Sequence, residues 1–172
     1  MSSITKCLND WNATVEALGQ GRQSILIRKT STTLKEFLLY PTVSYANNED
    51  YLDSFKESEK EFVKKYTLPA TEGKTYEVKY YATVEEVFET PVSRIGKFND
   101  YHIWTKNHVS GYFNNRNANV WLLRVYMLDE PVYCGRSRGM VFANVDKEVN
   151  IKGKPVISDK DFEKLKEEIL NK

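Results

Sequence analysis

The chain has 172 residues, of which 41% are hydrophobic and 13% aromatic, and its formal net charge is +1. A chain of this length buries roughly 70% of the surface that its unfolded form exposes, so the composition excludes a disordered protein and suits one folded domain. The near-neutral balance also excludes a protein that holds nucleic acid through bulk charge alone. We therefore predict a single domain over residues 1–172.

The sequence contains no apolar run of signal-peptide or membrane-span length. Its most apolar segment, Val120–Leu128, is short and contains Arg124. The two cysteines, Cys7 and Cys134, are too few for a zinc site of the C-x-x-C type or for a disulfide framework. We predict a cytoplasmic protein with two free thiols, no membrane association, no metal and no cofactor.

Charge is distributed unevenly along the chain. Residues 91–143 carry seven Lys or Arg against three Asp or Glu, whereas residues 46–90 carry six basic against eleven acidic residues. The basic part can supply a local patch for an anion.

Two helices are predicted in the first 70 residues. Gly19 and Gly21 would end the first of them, and Asn47 or Asn48 can cap a second, charged helix that extends to about Tyr66. The evidence for the first is an apolar stripe at helical spacing, formed by Ile4, Cys7, Leu8, Trp11, Val15 and Leu18.

Strands are predicted from dense or alternating apolar residues. Gln23–Lys29 is a short apolar run that ends in two cations, and Glu36–Tyr45 contains Pro41, which indicates a sheet edge, a bulge or a strand end. Residues 76–85 alternate with a period of two and form the clearest strand. Further strands are predicted over Val120–Leu128, Pro131–Cys134 and Met140–Val145.

The second half of the chain also contains helical signals. Ser93–Phe98 fits one helical turn, and Thr105 can cap a helix that precedes the Asn-rich loop Asn114–Asn119. Ser158 with Asp161 starts a C-terminal helix over about residues 158–171. The mixture of helices and strands predicts an α+β fold.

Arg124 is a candidate site residue because it lies in the middle of an otherwise apolar strand. A guanidinium keeps its charge and must find an anion, carbonyl groups or water. Two readings remain open: a partly buried ion pair with a glutamate or aspartate, or an arginine that faces a ligand.

His102 and His108 form the pattern D-x-H-x5-H with Asp100. This is not the spacing of two metal ligands on one helical face, and no cysteine lies nearby. Hydrogen bonding or capping accounts for both histidines, while an acid–base role for His102 stays open.

The segment Cys134–Gly139 contains two glycines, two arginines and a serine. Arg136 and Ser137 could wrap an anion together with backbone N–H groups, although no Gly-Lys-Ser/Thr follows as in a Walker A loop. A solvated basic turn is the alternative.

Several motifs in order resemble an uncharacterised prokaryotic family of unknown function over about residues 8–145. They are Val15-Glu-Ala-Leu18, Ile25-Leu-Ile-Arg-Lys29, Phe37-Leu-Leu-Tyr-Pro-Thr42, His102-Ile-Trp-Thr105, and Leu122-Leu-Arg-Val-Tyr126 with Pro131-Val132. That resemblance implies no reaction. A looser similarity, carried by Gly19, Gly21 and Arg28, is to PUA-like domains including ASCH domains. It implies a curved mixed sheet or partly closed barrel flanked by helices, and a partner such as RNA or a modified nucleotide.

We therefore predict a module that binds a nucleotide, RNA or DNA in one cleft, because bases favour aromatic faces and phosphates favour Arg and Lys. A hydrolase or nuclease that uses His102, and an adaptor for a protein partner, are the alternatives, and the oligomeric state is left open. The predicted ligand-binding residues are Arg28, Lys29, Tyr40, Thr42, His102, Trp104, Thr105, Arg124, Arg136 and Ser137.

Overall fold

The computed structural model describes residues 2–113 and 117–172. Residues 114–116 of the predicted loop Asn114–Asn119 lie outside the described residues. Within the described ranges the chain forms eight strands and four α-helices.

The element bounds are as follows. The strands are β1 Ser3–Trp11, β2 Ile25–Arg28, β3 Glu36–Thr42, β4 Thr71–Glu72, β5 Thr75–Thr90, β6 Ala118–Cys134, β7 Phe142–Asn150 and β8 Gly153–Pro155. The helices are α1 Asn12–Gly19, α2 Lys60–Lys65, α3 Lys106–Phe113 and α4 Asp159–Leu170. Short 3-10 segments cover Ser44–Asn47, Tyr51–Ser54, Glu57–Glu59 and Val92–Tyr101.

All eight strands belong to one mixed sheet. The order is β2-β6-β5-β3-β1-β7, with β4 paired to β5 and β8 paired to β6. The β1–β3 pair is parallel and the other pairs are antiparallel.

The sheet is strongly curved. Trp121 of β6 stacks on Phe142 of β7 with ring centroids 6.0 Å apart, although β5, β3 and β1 lie between these strands in the sheet order. Phe37 of β3 packs against both rings, at 6.5 and 5.4 Å. The inner face therefore closes around an aromatic core, and the prediction of an α+β fold with a curved mixed sheet flanked by helices is confirmed.

The predicted N-terminal helix is wrong in its first half. Residues 3–11 form β1, and the helix begins only at Asn12. In β1 the side chains of Cys7 and Leu8 point to opposite faces of the sheet and both are fully buried. Because apolar clusters cover both faces of β1 here, apolar residues occur on both faces of the strand, and their positions matched helical spacing.

Helix α1 is buried along its whole length. Its Glu16 accepts hydrogen bonds from the Tyr80 hydroxyl (3.1 Å) and the Gln20 amide (2.9 Å) and pairs with Lys79. Gly19 packs directly on the Tyr80 ring, where a Cβ atom would lie 2.1 Å from the ring's Cζ. Only a residue without a side chain fits that contact.

The predicted charged helix over residues 48–66 is also wrong in most of its length. Three 3-10 segments precede the six-residue helix α2. Phe55 forms a β-bridge with Trp104, and the Lys56 N–H donates to the Ile103 carbonyl at 3.0 Å. A continuous helix cannot make these pairings, because its backbone groups are used internally.

The remaining strand and helix predictions are largely confirmed. The alternating segment lies in β5, and the segments predicted as separate strands on either side of Asp129 are one strand, β6. Pro41 lies next to the last residue of β3, beyond the part that pairs with β5. Ser158 caps α4 by accepting a hydrogen bond from the Asp161 N–H at 3.2 Å.

Candidate functional site

An open cavity of about 170 Å³ lies where the end of β1 meets the end of β2 and helix α3. Its wall combines a carboxylate, a guanidinium, an imidazole and several aromatic rings. The lining residues are Asp10, Trp11, Ile27, Arg28, Trp104, His108, Val109, Tyr112 and Phe113.

An ion pair forms one wall of this cavity. Arg28 Nη2 donates to Asp10 Oδ2 at 2.7 Å, and the two side chains are only 19% and 11% exposed. Asp10 Oδ1 also accepts from the Trp11 backbone N–H at 2.8 Å. Burial raises the pKa of Asp10, and the positive charge of Arg28 opposes that rise.

Aromatic side chains form the rest of the wall. Trp11 stacks on Tyr45 with ring centroids 4.8 Å apart, and the edge of Phe55 packs at 5.8 Å. The His108 ring lies 5.7 Å from Trp11 and 6.3 Å from Trp104. The indole of Trp11 is thereby held in place by the protein behind it.

The mouth of the cavity is basic and aromatic. Tyr112 is 43% exposed, and the Lys29 ammonium lies 4.3 Å from its ring centroid. Lys29 follows directly after Arg28, so one short segment brings two cations to this side of the cavity.

Both histidines favour the neutral form, and His102 is buried whereas His108 is half-buried. Burial, assisted by the charge of Lys56, lowers the pKa of His102 to about 4, and its Nδ1 accepts from the Trp104 N–H at 3.2 Å. Burial also lowers the pKa of His108. His102 is 3% exposed and orients the segment that carries Trp104, whereas His108 lines the cavity.

The structure brings several predicted site residues together. Arg28 and Trp104 line the cavity, and Lys29 contacts Tyr112 at its mouth. Thr105 caps α3 by accepting from the His108 N–H at 3.1 Å. Thr42 ends β3 opposite Trp11, and His102 lies behind Trp104.

Four other predicted residues lie elsewhere. Tyr40 belongs to a second apolar cluster and donates to the Cys134 carbonyl at 2.9 Å. Arg136 lies 5.5 Å from the Tyr40 ring, and Ser137 Oγ accepts from the Asn144 N–H at 3.0 Å. Arg124 pairs with Asp159 of α4 and also donates to the Ile157 carbonyl.

Several cavity residues were not predicted from the sequence. Asp10 and Trp11 were missed because the segment was taken as helical, with Trp11 in its apolar stripe. His108, Val109 and Tyr112 were assigned to a helix but not to a site. Their spacing of i, i+1 and i+4 places them on one helical face, and that is the signal that could have indicated a shared surface.

Within the described residues, no three His, Cys, Asp or Glu side chains lie close enough to hold a metal ion. In the same part of the chain, no helix has both the length and the apolarity needed to span a membrane.

Comparison with protein families gives a match over residues 7–168 to the family described as Domain of unknown function (DUF1802). The chain belongs to the DUF1802 family. The resemblance to a family of unknown function is thereby confirmed and extends beyond the residues that carried the motifs. No curated protein matches this DUF1802 chain.

Among solved structures, this DUF1802 chain is similar to the ASCH protein from Zymomonas mobilis, at 12% identity and a TM-score of 0.45, over 85% of this chain and 73% of that one. Two mutants of that protein give TM-scores of 0.47 and 0.49 at 12% and 10% identity. The first covers 74% of this chain and 73% of that one, and the second covers 94% of both. The looser resemblance to ASCH domains agrees with these neighbours.

Proposed function

We propose that this DUF1802 chain binds a nucleotide, free or within a nucleic acid, by taking its base into the cavity between Trp11, Trp104 and Tyr112. The observation that carries the proposal is the combination of aromatic walls, a buried ion pair and a basic mouth in one cavity. Bases stack on aromatic side chains, and phosphates pair with Arg and Lys.

The size of the cavity favours a single ring system. An apolar cavity of about 150 Å³ in another protein holds one benzene molecule, and pockets for drug-sized ligands begin near 300 Å³. At about 170 Å³ and open to solvent, the cavity suits one base with the sugar and phosphate outside.

The ion pair supplies polar recognition. A carboxylate has about four lone-pair sites, and the contacts to Trp11 and Arg28 use one on each oxygen of Asp10. The remaining sites can accept hydrogen bonds from a base amino or imino group. Trp104 lines the cavity, and its Nε1 is a buried donor without an acceptor among the described residues.

The two cations can hold the phosphate. The ion pair with Asp10 uses Arg28 Nη2, and a guanidinium has five N–H donors in all. Lys29 stacks over Tyr112, the ring nearest to solvent in the wall, so its ammonium lies beside any base bound there. This arrangement combines base stacking with charge-assisted hydrogen bonds.

The test is titration of the protein with each of the common nucleoside monophosphates, followed by tryptophan fluorescence and calorimetry. Binding should change the emission of Trp11 and Trp104. Tyr112→Ala should weaken binding by about 1–3 kcal/mol, the usual contribution of one base–aromatic stack. Because Tyr112 is exposed, the variant should fold normally.

Tyr133→Ala, a half-buried tyrosine on β6 away from the cavity, is the matched control and should bind like the wild type. The proposal would be contradicted if the protein bound no nucleotide, either alone or in an oligonucleotide. It would also be contradicted if the Tyr112→Ala variant bound nucleotides as tightly as the wild type.

A cytoplasmic location stays part of the proposal. Its support is that Cys7 and Cys134 are both free and buried, as expected in a reducing compartment. Fractionation of cells that express the tagged chain would test it.

A further inference from the structure

A second groove, of about 380 Å³, lies between the end of β5, the 3-10 segment Val92–Tyr101 and the C-terminal end of α4. Its floor includes Phe98, which is buried, and Phe88, which is half-buried, with ring centroids 5.7 Å apart. Arg94, Lys97 and Lys172 contribute cations to the groove, and Glu86 and Glu89 contribute carboxylates.

Helix α3 connects this groove to the cavity. The helix packs against the 3-10 segment Val92–Tyr101. Its first residue, Lys106, lies over Gly96, with its Nζ 3.6 Å from the point where a Cβ of Gly96 would be. Lys97 follows Gly96 and lines the groove, while His108 lines the cavity. Lys106 therefore lies between the two depressions, beside Lys97 of the groove and two residues before His108 of the cavity.

These cations are available to a ligand. Lys106, Lys97 and Arg94 are exposed, and within the described part of the chain none of them forms a salt bridge. Arg28 and Arg124, by contrast, are each paired with an aspartate. The local excess of basic residues noted in the sequence is thus concentrated in part on this surface.

We infer that the partner is a single-stranded nucleic acid several nucleotides long, with one base in the cavity and the backbone following Lys106, Lys97 and Arg94 to the second groove. This inference rests on the proposed function. Three exposed cations, Lys106, Lys97 and Arg94, lie on this route, and each can contact one phosphate. At the groove, Phe88 presents a ring on which another base can stack.

A single strand fits better than a duplex, because the cavity admits a base only after it leaves its stack. Unstacking is least costly in a single strand. Recognition of splayed bases on aromatic side chains, with phosphates held by scattered cations, is the usual mode for single-stranded partners.

The test uses 5′-labelled RNA pools of randomised sequence, one to eight nucleotides long, and fluorescence anisotropy. Affinity should rise at least tenfold between one and about five nucleotides and then level. Arg94→Ala/Lys97→Ala should remove most of that gain while leaving the affinity for a single nucleotide unchanged. The slope of log affinity against log salt should become less steep by about 1.4, since each phosphate contact contributes ~0.7.

Lys160→Ala/Lys164→Ala removes the same charge from the exposed side of α4 and is the matched control, expected to bind all lengths like the wild type. Binding of a single nucleotide with no gain from length would overturn this inference and leave the proposed function intact. Failure of every length, one nucleotide included, would overturn both. The inference would also be wrong if the Arg94→Ala/Lys97→Ala variant kept the increase in affinity with oligonucleotide length.

Sedimentation gives one further outcome that would overturn it. If the wild type formed a dimer and the same variant did not, the groove would hold a second copy of the chain.

Discussion

Arg124 of β6 and Asp159 of α4 form an ion pair at the junction of the sheet with the C-terminal helix. The Arg124 side chain is 14% exposed, whereas that of Asp159 is 88% exposed. Arg124 Nη2 also donates to the Ile157 carbonyl at 3.2 Å, and the guanidinium lies 5.0 Å from the Phe162 ring. The charge in the middle of an apolar strand is therefore paired by the segment that begins α4, while Arg124 Nε has no hydrogen-bond partner among the described residues.

Arg124→Met should lower the free energy of unfolding by about 2 kcal/mol, because it removes a charged hydrogen bond to a carbonyl and a solvated ion pair. Since Asp159 stays hydrated, the variant leaves no buried charge behind. Asp159→Ala should cost less than about 1 kcal/mol. Urea denaturation measures both. Nucleotide binding lost together with unchanged stability would return Arg124 to the site.

Arg28→Met should destabilise the protein in a way that depends on pH. Without Arg28, the buried carboxylate of Asp10 loses its partner, and breaking such a pair costs about 3–5 kcal/mol when the remaining group is charged. The pKa of Asp10, already raised by burial, should rise further in the variant.

The sign of the pH effect follows from this rise. A carboxyl whose folded pKa exceeds its unfolded pKa binds its proton more tightly in the native state, so stability falls as the pH rises through that interval. The variant should be closest to the wild type in acid and furthest from it near pH 7. Arg28→Met/Asp10→Asn should recover much of the loss at pH 7. Equal losses at both pH values would contradict the buried ion pair.

His102 should make the protein sensitive to mild acid. Its pKa is about 4 in the native state and near 6.5 when unfolded, so the unfolded state binds the additional proton between these values. Stability should fall by about 3 kcal/mol as the pH drops from 6.5 to 4. Chemical denaturation at several pH values, with an NMR titration of the imidazole, measures this.

His102→Asn preserves an acceptor for the Trp104 N–H and should remove the larger part of that acid sensitivity. His108→Asn is the variant for comparison in the same measurement, because His108 is the other histidine whose pKa is lowered by burial. An imidazole of His102 that titrates near 6.5 in the folded protein would show that the ring is solvated.

Gly19→Ala and Gly111→Ala should have opposite effects on stability. A Cβ at Gly19 would lie 2.1 Å from Cζ of Tyr80, whose hydroxyl is held by Glu16, so overpacking should cost about 1–3 kcal/mol. At Gly111, inside α3, the described atoms leave the Cβ position open, and alanine should stabilise by about 0.5–1 kcal/mol. Thermal unfolding of the two variants is the measurement, and a neutral Gly19 variant would contradict the packing.

Helix α4 is buried on one side only, and its single apolar stripe and serine cap were enough to predict it. Strand β5 was predicted from its alternating residue types, although Tyr80 and Tyr81 are both buried, in different apolar clusters. For β1 and α1 the period was misleading, because both are buried on more than one side. The segment over residues 48–66 followed pairings with residues 103–104 that are distant in sequence and leave no local signal.

Prediction of the candidate site was limited in the same way, because the site depends on contacts between residues that are distant in sequence. Arg28 and Trp104 were predicted from their residue types, whereas Asp10 became visible only as the partner of Arg28. Arg124 looked equally suited to a ligand, and its pairing with Asp159 depends on where α4 begins relative to β6. Residue type indicated which side chains need a partner, and only the fold decides which partner each one finds.

The position of β1 in the sheet has a consequence for synthesis of the chain. β1 lies between β3 and β7, and its residue Ser3 pairs with Asn150. Of the strands in this sheet, β1 is synthesised first, yet it is among the last to complete its pairing. Contacts this distant in sequence slow folding. Until β7 leaves the ribosome, the backbone N–H and C=O groups along one edge of β1 have no partner, and an unpaired edge beside buried apolar residues promotes aggregation. A nascent chain that stops before residue 142 should therefore depend on chaperones more than the full chain does.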